Sequence, residues 1–292
     1  MEYFKLIRIH QWVKNLLIFA PLFFSFNYNI NIFIKLVLVF FIFSIVASGV
    51  YIINDIIDLE NDKNHPDKKN RPLASGKISI NIAIFITFLL FGFSFFVSFL
   101  FNKILFYLIL IYLIINLLYS VVIKKIVIWD VIFLALNYII RLLVGSLPFN
   151  IELSNWIIIN TFLLAILIVF SKRRDDLILF YKGKNTRKNI HNYSLELINI
   201  SISIVGGLSI VSYLMYVTNI KTIEKHGQYL YITFIFVLVG IIRYLQIIYK
   251  DESNGDPSKI FIKDNFLKIT ILLWLIIFYI LHYLNTINFF NL

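Results

Sequence analysis

The sequence contains no cysteine, and only 15% of its 292 residues are charged. The missing cysteine excludes disulfides, thiolate metal sites and cysteine nucleophiles. The shortage of charge argues against a soluble domain, in which about 25% of residues are usually charged. Hydrophobic residues make up 60% of the chain, and 30 residues are Phe. The composition therefore indicates an integral membrane protein.

Long apolar runs recur along the chain, and a run of roughly 20 apolar residues is enough to cross the hydrocarbon core of a bilayer. The polar segments between the runs are short. The sequence therefore predicts an all-α, polytopic transmembrane bundle of about nine helices that forms a single domain over residues 1–292. The predicted helices cover residues 15–33, 36–57, 80–100, 104–123, 127–147, 154–173, 197–218, 228–249 and 266–287.

The basic residues fall almost entirely on one side of this predicted bundle. If the N-terminus lies inside, the outer side holds only Lys35, Lys103, Lys221 and Lys225 of the 27 Lys and Arg residues. Because Lys and Arg are enriched in cytoplasmic loops, this asymmetry predicts a multi-pass protein of the cell (inner) membrane with its N-terminus in the cytoplasm. The net charge of +11 is divided among separate loops, so we expect no nucleic-acid partner.

Three carboxylates follow one another at the end of the second predicted helix. Asp55, Asp58 and Asp62 come directly after Asn54, and their spacing of three and four places them on one helix face if the helix continues. Carboxylate oxygens without His or Cys suit Mg²⁺, which takes one or two carboxylates together with substrate phosphates. The alternative is a solvated acidic helix end. Charge is costly at the end of a transmembrane helix, which favours the metal site.

Basic side chains next to this motif and at the end of the sixth predicted helix are candidates for binding phosphate. Lys68 and Arg71 follow the aspartates within a loop that contains two prolines, whereas His65 in that loop is more typical of a structural residue. At the end of the sixth predicted helix, Lys172 and Arg173 are the expected phosphate ligands. Topology alone explains much of this charge, but not the acidic Asp175 that follows.

Smaller polar features lie on other predicted elements. Lys14 opens the first predicted helix, and Tyr138 and Arg141 lie within the fifth. A charge as deep as that of Arg141 is a candidate functional residue. Asp256 lies in the last predicted cytoplasmic loop. Taken alone, the residues around it indicate a turn and nothing more.

Together these residues resemble the UbiA-type intramembrane prenyltransferase superfamily. The pattern Asn54-Asp55-x-x-Asp58-x-x-x-Asp62 is similar to the superfamily's first aspartate-rich motif. Within the superfamily, the chain most resembles the decaprenyl-phosphate phosphoribosyltransferase branch. The stretches that carry this likeness are Gln11 to Asn15 with Ala20 to Leu22, Asn54 to Gly76, Tyr119 to Gly145, Ser171 to Arg174, and Gly255 to Pro257 with Asp264.

The resemblance implies a bundle around a central cavity and a Mg²⁺-dependent transferase. It implies transfer of a 5-phosphoribosyl group from phosphoribosyl diphosphate to a polyprenyl phosphate lipid, with release of diphosphate. Asp55, Asp58 and Asp62 would be the metal-binding catalytic residues. The expected substrate-binding residues are Lys14, Asn54, Lys68, Arg71, Tyr138, Arg141, Lys172, Arg173, Asp175 and Asp256.

One departure from the superfamily pattern favours phosphoribosyl transfer over the alternative functions. Typical members carry a second pair of aspartates, four apart, where this sequence has Lys172-Arg173-Arg174 and then adjacent aspartates. Additional cations suit the phosphoribosyl branch, whose two substrates carry more phosphate groups. The main alternative is a prenyltransferase that moves a prenyl group from prenyl diphosphate to an aromatic, quinone or haem precursor. A transporter of anionic lipids is a further alternative, but it leaves the aspartates without a role.

Overall fold

The computed structural model describes residues 2–26, 29–64, 68–183, 190–250 and 260–287. Within these ranges the regular elements are α-helices and 3-10 helices, without a strand. The eight longest helices are α1 (Ile30–Ile57), α2 (Ile80–Phe101), α3 (Lys103–Val121), α4 (Trp129–Ser146), α5 (Asn155–Tyr181), α6 (Leu195–Thr218), α7 (Phe234–Lys250) and α8 (Asn265–Thr286).

Shorter helices connect or extend these eight. The 3-10 helices Leu147–Phe149 and Gln228–Thr233 extend α4 and α7, respectively. With these extensions, eight helices are long and apolar enough to cross a membrane. The remaining short helices are Glu2–Leu6, Ile9–Phe19, Ala20–Ser25, Leu59–Lys63, Lys68–Asn70, Ile123–Lys125, Ile190–Asn192, Ile220–His226 and Ile260–Lys263.

The first predicted helix, residues 15–33, is wrong as a single continuous helix. The chain instead forms a 3-10 helix, Ile9–Phe19, and then a short α-helix, Ala20–Ser25, with Pro21 in its first turn. Proline has no backbone N–H and is tolerated at a helix start rather than inside. The side chain of Asn29 then caps α1, so that α1 begins at residue 30 rather than 36.

This N-terminal segment runs antiparallel to α1. At one end Arg8 pairs with Asp55, and at the other the ring of Phe19 lies 5.8 Å from the rings of Phe33 and Phe40. The two helical pieces together extend about 31 Å at the usual rises per residue, close to the thickness of a hydrocarbon core. A ninth membrane crossing at this position stays a prediction.

The end of α5 also differs from the prediction. The helix continues to Tyr181 instead of stopping at residue 173. Lys172, Arg173 and Asp175 therefore lie inside a helix and not at its terminus. The polarity of these residues suggested an end, but Arg173 and Asp175 are buried by packing, which allows the helix to continue.

The described residues form two compact units. The first contains the chain up to Ser154, with α1 to α4; the second contains α5 to α8. In the first unit, α1 packs on α2 and α3, and α4 packs on α3 and on the 3-10 helix Ile9–Phe19. A side chain at Gly145 would overlap the carbonyl of Ile18, so glycine allows this close approach. In the second unit, α6 packs on α5 and α7. The prediction of a single domain stays a prediction.

Candidate active site

Two of the predicted aspartates are buried where α1 meets the next short helix. Asp58 is the C-terminal cap of α1, and its carbonyl oxygen accepts a 2.9 Å hydrogen bond from the N–H of Asp62 in Leu59–Lys63. The chain therefore keeps turning in a helical sense past the end of α1. Asp55 and Asp62 are each 3% exposed.

Arg71 joins these two carboxylates. Its Nη1 atom lies 2.9 Å from Oδ1 of Asp55 and 2.5 Å from Oδ2 of Asp62. Two like charges held this close repel each other, and the guanidinium offsets that repulsion. The structure thus brings Asp55, Asp62 and Arg71 together, and the two carboxylates converge on the position of one cation.

The side chain of the third aspartate, Asp58, bonds to Lys124 and not to Arg71. Oδ1 of Asp58 accepts a 2.6 Å hydrogen bond from Nζ of Lys124, and 37% of the Asp58 side chain is exposed. As the cap residue, Asp58 departs from helical backbone angles, which directs its side chain away from the line expected for a continuous helix. Within the described ranges, no three His, Cys, Asp or Glu residues are grouped so that they could hold a metal.

Further cations surround the carboxylate pair. Arg8 bonds to Asp55, and the Arg8 guanidinium lies 5.3 Å from the centroid of the Tyr51 ring. Nζ of Lys68 lies 3.8 Å from Oδ1 of Asp62. The sequence did not indicate Arg8 as a site residue, because 47 positions separate it from Asp55. Lys124 was missed for the same reason, since no local spacing relates it to Asp58.

A chain of hydrogen bonds leads from this cluster into the first unit. The hydroxyl of Ser120 lies within hydrogen-bond distance of two acceptors, Oδ1 of Asn54 and the carbonyl of Asn116, the second at 2.7 Å. The amide of Asn116 in turn donates to Oδ1 of Asn137, at 2.6 Å. The carbonyl of Asn137 accepts a 2.6 Å bond from Nη1 of Arg141. Asn54 and Arg141, both predicted as site residues, are therefore linked by one polar track.

Of the other predicted residues, Tyr138 contacts Arg141, and Lys14 is next in sequence to Asn15, which Arg141 contacts. The ring of Tyr138 lies under the Arg141 guanidinium, 5.6 Å from centroid to Cζ. Nε of Arg141 donates a 2.8 Å bond to Oδ1 of Asn15. Lys14 precedes Asn15 in the same 3-10 helix and is half-buried.

In the second unit, the predicted basic cluster is mostly buried within α5. Arg173 is fully buried, with Nη1 3.4 Å from Oδ2 of Asp176. Asp175 is 2% exposed, whereas Lys172 is half-buried. Arg174 does not share the partner of Arg173 but bonds to Asn199 and Ile248. This is expected, because consecutive helix residues point about 100° apart.

The residues between α7 and α8 give less information. Asp256, like His65 of the earlier loop, lies outside the described residues. Asp264 caps the start of α8 and bonds to Nη2 of Arg243 at 2.8 Å. That hydrogen bond from Arg243 holds the pKa of the Asp264 carboxyl below its usual value.

The carboxylate pair fits a divalent cation. Asp55 and Asp62 supply oxygen donors that already converge on a cationic nitrogen, and Mg²⁺ in proteins is usually bound by one or two carboxylates plus substrate phosphates. The surrounding cations could pair with those phosphates. The arrangement is therefore suited to binding a metal–diphosphate complex.

Eight apolar helices define a multi-pass membrane protein, and its first unit buries a cluster of acidic and basic side chains. Residues 16–272 match the model of the UbiA prenyltransferase family, and the chain belongs to that family. A solved structure of a UbiA homologue from Archaeoglobus fulgidus, bound to GPP and Mg²⁺, has the same fold. Its TM-score is 0.70 at 19% identity, covering 96% of this chain and 99% of that one.

Curated relatives cover nearly the whole chain. A decaprenyl-phosphate phosphoribosyltransferase of Mycolicibacterium smegmatis is 26% identical over 93% of this chain and 89% of the relative. One from Corynebacterium glutamicum is 25% identical over 92% of this chain and 83% of the relative. The resemblance to the UbiA superfamily is therefore confirmed, and the phosphoribosyltransferases are similar to this chain at modest identity.

Proposed function

We propose that this protein transfers a 5-phosphoribosyl group from phosphoribosyl diphosphate to a polyprenyl phosphate. The observation that carries the proposal is the pair of buried carboxylates, Asp55 and Asp62, surrounded by Arg8, Lys68 and Arg71. Such a cluster suits a metal–diphosphate group. The similarity to decaprenyl-phosphate phosphoribosyltransferases along most of the chain supports the choice of donor and acceptor.

In this reaction the bond between C1 of the ribose and the diphosphate oxygen breaks, and a bond from C1 to an oxygen of the lipid phosphate forms. Mg²⁺, when bound by Asp55 and Asp62, neutralises charge on the departing diphosphate. Asp58, which is partly exposed and bonds to Lys124, stays a candidate ligand. The acceptor phosphate is already ionised at neutral pH, so the reaction needs no general base.

The neighbouring cations then position the donor. With a metal held by the carboxylates, Arg8 and Arg71 would be available to bind diphosphate oxygens, which Arg binds in a fork. Lys68 and Lys124 reach the same region by pairing with Asp62 and Asp58. Holding the donor in a fixed orientation supplies a large part of the rate.

The predicted cations on α5 complete the proposal. Phosphoribosyl diphosphate carries a phosphate besides its diphosphate, and the lipid acceptor brings another. Lys172 and Arg173 stand where superfamily members usually have a second acidic motif, and we assign them to these additional phosphates. We further propose that the site faces the cytoplasm, because the loops predicted on that side carry most of the Lys and Arg residues.

A transfer assay tests the proposal and its main rival together. The purified protein in lipid nanodiscs is incubated with Mg²⁺, labelled phosphoribosyl diphosphate and a polyprenyl phosphate. We expect diphosphate and a labelled lipid, both abolished by a chelator. A parallel reaction contains a prenyl diphosphate and an aromatic acceptor. Prenylation of the aromatic compound, with no ribosylated lipid in the first reaction, would replace the proposal by the prenyltransferase alternative.

A further inference from the structure

Two of the five histidines of the chain meet within the second unit. His226 closes the short helix Ile220–His226, and His282 lies near the C-terminal end of α8. Their Nδ1 atoms are 3.1 Å apart, and their ring centroids are 4.9 Å apart. Because 56 positions separate the two residues, tertiary packing and not local sequence brings the imidazoles together.

Neighbouring groups hold the two rings in place. His226 is 4% exposed, and its ring centroid lies 5.3 Å from that of Phe278. His282, one turn along α8 from Phe278, is half-buried and also hydrogen-bonds to the backbone of Lys225. Hydrogen bonds to backbone groups commonly orient histidines that bind metals. The pair is therefore fixed in orientation, and the partial exposure of His282 leaves it reachable by an ion.

The histidine pair is distant from the basic residues of α5. Arg174 on α5 bonds to Asn199, near the start of α6. His226 instead follows the end of α6 at Thr218, and the 19 residues from Asn199 to Thr218 correspond to about 29 Å of helix. A ligand of the two histidines would therefore not contact a phosphate bound near Arg174.

The spacing of the two nitrogens suits a metal ion as well as a hydrogen bond. A hydrogen bond between them requires one nitrogen to carry a proton and the other to accept it. Two imidazole nitrogens bound to one tetrahedral zinc ion lie about 3.3 Å apart, since each Zn–N bond is about 2.0–2.1 Å. The observed separation is 3.1 Å, so a metal ion could take the place of the shared proton with little movement of the rings.

We propose that His226 and His282 bind a transition-metal ion, Zn²⁺ being the ion of best fit, at a site separate from the carboxylates Asp55 and Asp62. Imidazole suits Zn²⁺, whereas Mg²⁺ prefers oxygen donors. The bound ion joins the short helix Ile220–His226 to α8, and its role is structural. In the predicted topology this site lies on the outer side of the membrane, with Lys221 and Lys225.

Two histidines supply half of a tetrahedral shell. Asn285 offers a third donor, because it lies one turn after His282 and its side chain packs on Gly227, the residue that follows His226. A Cβ atom at Gly227 would lie 3.0 Å from Oδ1 of Asn285, and the φ of 93° at this position also favours glycine. Water completes the shell at the remaining position.

Zinc binding to the unmodified protein tests the proposal directly. Tag-free protein in nanodiscs is titrated with Zn²⁺ in the presence of excess Mg²⁺, and we expect one zinc ion per chain. X-ray absorption at the zinc edge should then show two imidazole ligands at about 2.0 Å. Absence of binding, or a zinc ion with oxygen ligands alone, would overturn the proposal.

Variants of the two histidines locate the bound zinc. Zn²⁺ at tenfold excess over its Kd should raise the melting temperature of the unmodified protein by about 3–6 °C. His226→Gln and His282→Gln should each weaken zinc binding at least about tenfold and remove most of this rise. Asp62→Asn should keep it, which makes the result independent of the proposed transferase activity.

His191→Gln is the matched control, because His191 is an exposed histidine of the same unit, in the 3-10 helix Ile190–Asn192. It should bind zinc as tightly as the unmodified protein. His226→Gln and His282→Gln can lower the melting temperature without metal, because they remove the contact between the two rings. If they do so but keep the rise caused by zinc, the pair is only a hydrogen-bonded link between helices and the inference is wrong.

Discussion

The end of α1 and the C-terminal half of α5 both bury charged side chains, but their charges are neutralised differently. At the end of α1, the partners of Asp55 come from distant parts of the sequence: Arg8 lies 47 positions away and Arg71 lies 16 away. Lys124, which pairs with Asp58, lies 66 positions away. This cluster exists only when the whole first unit has folded.

On α5, one buried cation has its counter-charge within the helix itself. Arg173 pairs with Asp176 one turn along the same helix, at 3.4 Å. Arg174 bonds to neutral groups, the side chain of Asn199 and the carbonyl of Ile248. On this basis we propose that the acidic region at the end of α1 binds a cation, whereas the basic region of α5 binds an anion. The following predictions test that contrast.

The largest effect is expected for Asp62→Asn. The substitution removes one charge from the converging carboxylates, and the lost electrostatic stabilisation of the departing diphosphate should lower the transfer rate by about a thousandfold. The rate is measured in nanodiscs with labelled phosphoribosyl diphosphate. Glu60→Gln is the control: Glu60 lies in the same short helix but is 82% exposed and pairs with Lys63. Equal losses in both variants would argue against a specific metal site.

A smaller loss is expected for Asp58→Asn. Asp58 bonds to Lys124 and is partly exposed instead of facing Arg71, so its removal should lower the transfer rate about tenfold to a hundredfold. The same assay measures it beside Asp62→Asn. A loss as large as that of Asp62→Asn would mean that all three aspartates bind the metal during the reaction. Fully retained transfer would exclude Asp58 from the metal site.

Arg71→Gln should have opposite effects on metal and on diphosphate. Because Arg71 occupies the position between Asp55 and Asp62, its loss leaves a more negative pair that binds Mn²⁺ alone about tenfold more tightly. The affinity for diphosphate should fall. Electron paramagnetic resonance of Mn²⁺, with and without diphosphate, measures both. Unchanged Mn²⁺ affinity would show that Arg71 does not compete with the metal.

Much of the helical pattern was predictable, because apolar runs fix where most spans lie. The segment from Ile9 to Ser25 was not, since a 3-10 helix followed by a short α-helix has no distinctive periodicity. The continuation of α5 to Tyr181 was missed for a different reason: local charge suggested a terminus, and tertiary burial of Arg173 overrode that tendency.

The candidate site was predictable to the extent that its residues are close in sequence. The spacing of Asp55 and Asp62 indicated a shared face, and Arg71 lies nine positions from Asp62. Arg8 and Lys124 are brought to the aspartates only by the packing of the first unit, which no local pattern encodes. The turn of Asp58 towards Lys124 depends on the helix ending at Ile57, and helix ends are the least predictable feature of a sequence.

The smallest effect is expected at the basic region of α5. Lys172→Gln removes a half-buried cation, and the loss of one charge–phosphate contact should raise the KM for phosphoribosyl diphosphate about threefold to tenfold with little change in kcat. Lys182→Gln, just beyond the end of the same helix and exposed, is the control for a general change in surface charge. If both variants raise the KM equally, the positive charge near α5 attracts the donor only as a diffuse field, and the proposed direct contact of Lys172 with a phosphate is wrong. An effect confined to Lys172 would instead show that α5 supplies a specific anion contact, in contrast to the acidic end of α1, which we propose binds a metal.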